Sequence, residues 1–427
     1  MSSYKVVGGR PLKGTITPMG NKNAALPIIA ATMLTSEKVT LTNVPDISDV
    51  RIQFKILKKL GVDVEYNRQA NKAVIHAKKL KTTKLDKQDV LKTRGSILFL
   101  GPLIARAGKA TLWSTGGCSL GKRPVDSYFQ AISKLGAKVR YEGDSFVVDA
   151  PKLKGTKVWQ AEKAVTGTEN LIMAAVLAKG TTEIINAASE PHVQDLCNML
   201  NSMGAKITGV GSDRLLIEGV EILYGTEHRI NNDFMEVGTF ITAAVVTGGS
   251  LRIENAMPEY MDMILNEFAK FGVKTKWDGD TLVVSDNQSL KTKACLDGSM
   301  NKVECLPWPG FPPDLLQFMI VLATQSSGRI LIHDKLYEGR LFYTSELNNM
   351  GADIFLSDPH RLIVFGKTPL RGKVLKSPDI RAGMSLLVAA LCARGESIIE
   401  RGEIIERGYS NIEERFKSLG ANIERLD

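Results

Sequence analysis

The chain has 427 residues, 44% of them hydrophobic, and 55 basic against 46 acidic side chains give it a net charge of +9. That length buries a sizeable core and suggests two domains or more, and the positive balance favours anionic partners, of which a substrate phosphate is the simplest. No apolar run approaches the roughly 20 residues that span a bilayer, the start MSSYKVVGGRP lacks the core of a signal peptide, and five scattered cysteines without a CxxC pair argue against a disulfide framework or a zinc site, so the expected setting is the cytoplasm.

A first strand is predicted at Tyr4 to Val7, and behind it one pattern recurs along the chain: an amphipathic helix closed by a glycine and followed by a β-rich stretch. The stretches read KILKKLGVDVEY, QAISKLGAKVRY, NMLNSMGAKITG, NEFAKFGVKTKW, SELNNMGADIFL and ERFKSLGANIER, with glycines at Gly61, Gly136, Gly204, Gly272, Gly351 and Gly420, spaced 75, 68, 68, 79 and 69 apart. Apolar residues at three- and four-residue steps, as in Val193, Leu196, Leu200 and Met203, bury one face of each helix. The glycine suits a left-handed helix cap, and the alternation after it reads as a hairpin.

Each unit also holds an earlier helix that is apolar nearly all round: NAALPIIAATML, GSILFLGPLIA, ENLIMAAVLA, GTFITAAVV, DLLQFMIVLA and GMSLLVAAL. Such helices belong inside, and units of roughly 70 residues are too long for a thin solenoid, so three units should close around their buried helices, twice over. The expected boundary lies near Arg229 to Asp233, and the first strand is a candidate to pair with the last units, which would make the chain pass between domains twice.

The amino ends of the buried helices carry polar residues: Lys22 with Asn23, Arg94, Thr166 with Thr168, Glu236, Asp314 and Arg381. Free N–H groups and the helix dipole attract anions there, so each domain has room for three anion sites, with N-capping or a solvated end as the bland alternative for each. Glu236 is the weakest of the set, an acidic first-turn residue being ordinary helix stabilisation, whereas PGFPPD fixes Asp314 among three prolines as a candidate base.

A second cluster is TGGCSLGKRPVD, Thr115 to Asp126, where glycines leave room for a ligand and Lys122 and Arg123 favour the Cys118 thiolate. Cys197 and Cys392, and by default Cys295 and Cys305, read as small buried hydrophobes. GEIIERGY supplies Glu406 and Arg407, and YEGRLF supplies Arg340, arginines whose fork matches carboxylate and phosphate. GVGS at Gly209 and Gly211 reads as a hairpin turn, and the basic stretch Ala77 to Lys92, without interleaved aromatics, reads as a solvated surface and not a nucleic-acid site.

Together GNKNAALP, GGCSLGKRPVD, PGFPPD, DIRAG and ERGY resemble the enolpyruvyl transferase family, in the same order from about Val6 to the end. The resemblance implies two similar inside-out α/β domains of three βαβαββ units each, residues 22–231 and residues 1–21 plus 232–427, with the active-site cleft between them. It further implies transfer of the enolpyruvyl group of phosphoenolpyruvate to the 3'-hydroxyl of UDP-N-acetylglucosamine with release of phosphate, without cofactor or metal. Lys22, Arg123 and Arg407 would hold phosphoenolpyruvate, and Asn23, Arg94, Asp314 and the backbone near Leu336 the sugar nucleotide. Cys118 would be general acid or covalent participant, Asp314 the base for the attacking hydroxyl, and Asp379 with Arg381 the support of the tetrahedral intermediate. The chain departs from the family pattern at Tyr128, Phe234, Gly339 and Ile404, on the rim and the sugar side. A weakly active or regulatory UDP-sugar-binding paralogue, or transfer to another acceptor such as shikimate 3-phosphate, is the alternative.

Overall fold

Apolar residues on every side leave a helix no face for water, and the six apolar stretches are helices buried almost throughout. In the computed structural model, which describes residues 2–113 and 125–427, they span Lys22–Ala31, Leu100–Ala107, Val165–Ala175, Phe234–Thr247, Leu316–Thr324 and Ile380–Cys392. The second and fifth are each preceded by a 3-10 turn, Arg94–Phe99 and Pro313–Leu315.

The amphipathic helices are Ser48–Leu60, Asp126–Lys134, Pro191–Ser202, Asp262–Ala269, Thr344–Asn349 and Ile412–Ser418. Each is followed within three residues by its predicted glycine, and all six glycines have φ between 79° and 103°. A side chain there would be strained, which is why the punctuation is so regular.

Behind the glycines the alternating stretches pair as hairpins, for example Lys206–Thr208 with Arg214–Glu218, and Gly209 and Gly211 turn between them with positive φ. Most sheets repeat one order, in which a short parallel edge strand flanks a strand that pairs antiparallel with the hairpin. The sixth stretch has no second hairpin strand of its own. Ser3–Val7 inserts between Glu396–Glu400 and Asn422–Leu426 and completes that sheet. Two further edges are borrowed from afar: Lys13–Ile16 runs parallel to Ser250–Ile253, and Glu227–Arg229 runs parallel to Lys38–Thr42.

The chain divides into two units, one of residues 20–113 and 125–231, the other of residues 2–19 and 232–427. In the second unit the helices Phe234–Thr247, Leu316–Thr324 and Ile380–Cys392 pack on one another inside one continuous apolar core. Close approach is built into the sequence: a Cβ on Gly238 would lie 2.7 Å from Leu315 Cδ2. In the first unit Leu100–Ala107 packs on Val165–Ala175, and Asn170 Oδ1 accepts the Gly101 N–H at 2.8 Å. No helix among the described residues is long and apolar enough to cross a membrane.

Candidate functional site

The amino ends of the buried helices do not all face ligand. Thr168 is fully buried, donates to the Ala164 carbonyl at 2.9 Å and accepts from Gln160 Nε2 at 2.7 Å and Ala188 N at 2.9 Å, so its hydroxyl is spent holding the core together. Glu236 is likewise buried, takes two bonds from Arg415 at 2.6 and 2.8 Å and a third from Met19 N at 2.9 Å, and so anchors the segment that enters this unit. Neither of these two side chains is therefore turned to an anion, and Thr166, at the same end as Thr168, is half-buried. A buried polar group needs partners, and here the partners are internal.

The remaining ends are different. Lys22, 8% exposed, opens its helix behind the Asn21 cap, and its Nζ lies 2.9 Å from Asp49 Oδ2 in the first turn of Ser48–Leu60. Asn23 beside it is half-buried. Arg94, also half-buried, begins the 3-10 turn capped by Thr93, which packs on the helix of Lys22 and is tied to it through Leu26 against Gly95. One body thus carries two cations and an amide on adjoining elements. Cys118, Lys122 and Arg123 lie outside the described residues.

The second unit holds the denser cluster. Arg381 sits in the first turn of Ile380–Cys392, whose cap is Asp379; the Asp379 carboxylate accepts from the N–H groups of Arg381 and Ala382 at 2.9 and 3.0 Å. Arg381 Nε donates to Asp314 Oδ2 at 3.0 Å, and Arg340 donates twice to Asp314 Oδ1 at 3.2 Å. Burial opposes charge on Asp314, yet Arg381 and Arg340 outweigh it and hold the carboxyl well below the usual range. Burial also works against Arg381, and Tyr409, Asp314 and Asp233 more than restore its charge.

Arg381 is steadied from behind by Tyr409, whose hydroxyl accepts its N–H at 2.8 Å. That leaves Tyr409 to donate to Thr239 Oγ1 at 3.2 Å, while the Thr239 hydroxyl donates to the Met235 carbonyl at 3.0 Å. The residues missed from sequence are therefore Asp49, Tyr409 and Thr239, together with the Arg340 contact to Asp314. Asp49 looks like any first-turn acid, and Tyr409, although part of the quoted ERGY, gives no sign of its partner.

Arg407 follows the short helix Gly402–Ile405 and is half-buried, and its neighbour Glu406 accepts from Tyr4 at 3.0 Å and Arg425 at 2.7 Å. Leu336 donates its N–H to Asp334 at 2.9 Å.

The departures from the family pattern are structured. Tyr128 is buried with its ring against Gly167, and Phe234 packs edge-on against Trp308 at 5.7 Å, with Tyr260 completing an aromatic cluster beside PGFPPD. Ile404 and Gly339 are half-buried.

Among the cysteines, Cys197 and Cys305 are buried and Cys392 nearly so, and burial pushes all three thiols up to about 12. Cys295 corrects the expectation of a buried hydrophobe: it is exposed, in a turn closed by its own N–H to Ser299.

The chain is similar in sequence to UDP-N-acetylglucosamine 1-carboxyvinyltransferase of Treponema denticola, 49% identical with 99% of both chains covered, and to that of Borreliella burgdorferi, 46% identical over 100% of this chain and 99% of the other. Its fold is similar to the enolpyruvyl transferase NikO from Streptomyces tendae, with a TM-score of 0.89 at 22% identity over 100% of this chain and 99% of that one. It is also similar to EPSP synthase from Acinetobacter baumannii, with a TM-score of 0.76 at 17% identity over the whole of both chains. The family described as EPSP synthase (3-phosphoshikimate 1-carboxyvinyltransferase) matches residues 6–416, and the chain belongs to this family of enolpyruvyl transferases.

Proposed function

We propose that the chain transfers the enolpyruvyl group of phosphoenolpyruvate to the 3'-hydroxyl of UDP-N-acetylglucosamine and releases phosphate, in the cytoplasm, as the first committed step of peptidoglycan synthesis. The observation that carries this reading is the end-to-end identity with relatives bearing the carboxyvinyltransferase name. The addition needs a proton on the methylene carbon of the donor while the sugar oxygen bonds to its C2 and loses its own proton to a base. Elimination then reverses the carbon protonation and expels phosphate.

In this reading Lys22, Arg123 and Arg407 hold the donor, and Asn23, Arg94, Asp314 and the backbone at Leu336 hold the acceptor. Cys118 is the acid or covalent participant, and Asp379 and Arg381 support the intermediate. Asp314 is the base, with one condition. A carboxylate clasped by two guanidinium groups is a poor proton acceptor, so a donor phosphate or carboxylate that draws off Arg340 or Arg381 would raise its basicity in time for the attack.

Phosphate release from phosphoenolpyruvate that requires UDP-N-acetylglucosamine is the expected result, with labelling of Cys118 by the epoxide fosfomycin at a rate that the sugar nucleotide alters. Release with shikimate 3-phosphate instead, or with no UDP-sugar at all, would sink the reading.

A further inference from the structure

Between Asp334 and Arg340 the chain makes a turn that no helix or strand holds in place, yet Arg340 must arrive at Asp314 with its guanidinium aligned. Asp334 is the last residue of the strand Gly328–Asp334 and is fully buried. Its Oδ1 gathers three donors: Leu336 N at 2.9 Å, Tyr337 N at 3.0 Å and the Cys305 thiol at 3.2 Å. The backbone of Asp334 is fixed as well, its N–H donating to the His360 carbonyl at 2.8 Å and its carbonyl lying 2.7 Å from His360 Nδ1.

Tyr337, oriented by this turn, lies under Arg340, with the guanidinium carbon 4.2 Å from the ring centroid. That is cation–π distance for a planar cation stacked on an aromatic face. Arg340 is 4% exposed, and the charge of Asp334 also acts on it. Asp334 Oδ2 and Arg340 Nε are both buried and make no hydrogen bond among the described residues, so the pair is coupled by field and by the Tyr337 ring, not by direct contact.

The geometry points to Asp334 and Tyr337 as positioning residues of the transfer: Asp334 sets the turn, the turn sets the Tyr337 ring, and the ring sets Arg340 against Asp314. The inference rests on the proposed role of Asp314 on the acceptor side, and it goes beyond that reading by assigning a task to two residues that touch no reacting atom.

The test is a comparison of KM for the two substrates in the full-length enzyme. Asp334→Asn keeps the shape and one acceptor oxygen but removes the charge. Tyr337→Leu removes the ring from a half-buried position and leaves Asp334 in place, so it remains informative if the first variant folds poorly. Each is expected to raise KM for UDP-N-acetylglucosamine about tenfold while KM for phosphoenolpyruvate stays within about twofold, and Tyr337→Phe, which keeps the ring, should recover most of the loss.

General loosening would lower the active fraction without separating the two substrates. If both KM values move together, or if neither variant moves the acceptor KM by more than about twofold, the assignment is wrong. An unmodified enzyme that releases no phosphate with UDP-N-acetylglucosamine would instead overturn the functional reading, and this inference with it.

Discussion

Lys22 and Arg381 hold the same place in the repeat, the first turn of a buried helix, and each is ion-paired, but the partners come from different distances. Lys22 meets Asp49 from the next helix of its own repeat. Arg381 meets Asp314, 67 positions away on the preceding repeat, and Tyr409, 28 positions on. The repeat therefore supplies a place for a cation, and packing between repeats decides what that cation does. In the Lys22 pair the lysine and aspartate side chains are 10% and 3% exposed, so the pair is an element of the core as much as of a site. In the other cluster the carboxylate is the more exposed member, at 23% against 6% for Arg381 and 4% for Arg340, so the two cations present Asp314 outward.

The largest effects should separate these two arrangements. Arg381→Met leaves Asp314 with Arg340, and turnover is expected to fall on the order of 10²-fold because a positioned charge is lost where charge develops, with a loss of stability of about 2 kcal/mol as Tyr409 and Asp314 each lose a partner. Lys22→Met removes a cation from Asp49 in the core, so turnover should fall and unfolding free energy should drop by about 3 kcal/mol. Adding Asp49→Leu should restore most of the stability and none of the turnover. Denaturant melts beside steady-state assays decide it. If Lys22→Met is as stable as the parent, the pair belongs to the site alone and the contrast dissolves.

A smaller effect tests the support behind Arg381. Tyr409→Phe leaves a buried guanidinium N–H without its acceptor and Thr239 without its donor, costing about 1–2 kcal/mol, and turnover should fall roughly tenfold as Arg381 loses its fixed position. Unchanged turnover with reduced stability would make Tyr409 a core residue only.

What was legible in the sequence follows the same division. The six buried helices, their amphipathic partners and the left-handed glycines are local patterns with fixed periods, and the two-domain α/β architecture follows from counting them. The insertion of Ser3–Val7 beside the last repeat agrees with the expectation for a strand that stands ahead of the first unit. Long-range choices left no such trace. Nothing in GTFITAAVV says that Glu236 will find Arg415, 179 positions on, and nothing in a threonine at a helix end says that Thr168 faces Gln160. The arginine clasp on Asp314 combines three motifs that sequence spacing cannot join, and the family resemblance supplied their chemistry, not their geometry. Cys295 reads as a buried hydrophobe only by default, with no helical pattern around it, and its neighbour Leu296 is itself exposed.

The smallest expected effect on turnover, read only as a pH dependence of stability, concerns the residue beneath the Arg381 cluster. Asp233 caps Phe234–Thr247, accepting from Met235 N at 2.9 Å, and is 1% exposed. Burial pushes its carboxyl up to about 6, Arg381 pulls against that, and Glu236 and Asp314 add to it. Since the folded value lies above the unfolded one, the folded state binds the proton more tightly. Its contribution to stability is complete below the unfolded value near 3.8 and is lost as pH rises through about 6. Asp233→Asn keeps the capping oxygen and cannot ionise, so its stability relative to the parent should rise by about 2 kcal/mol between pH 4.5 and pH 8, the two proteins drawing level only near pH 3. The quantity to measure is the difference between the two proteins across that range. Parallel stability curves would mean that Arg381 already neutralises Asp233, and the cluster would then be a charge-balanced unit in which Arg381 serves two carboxylates at once.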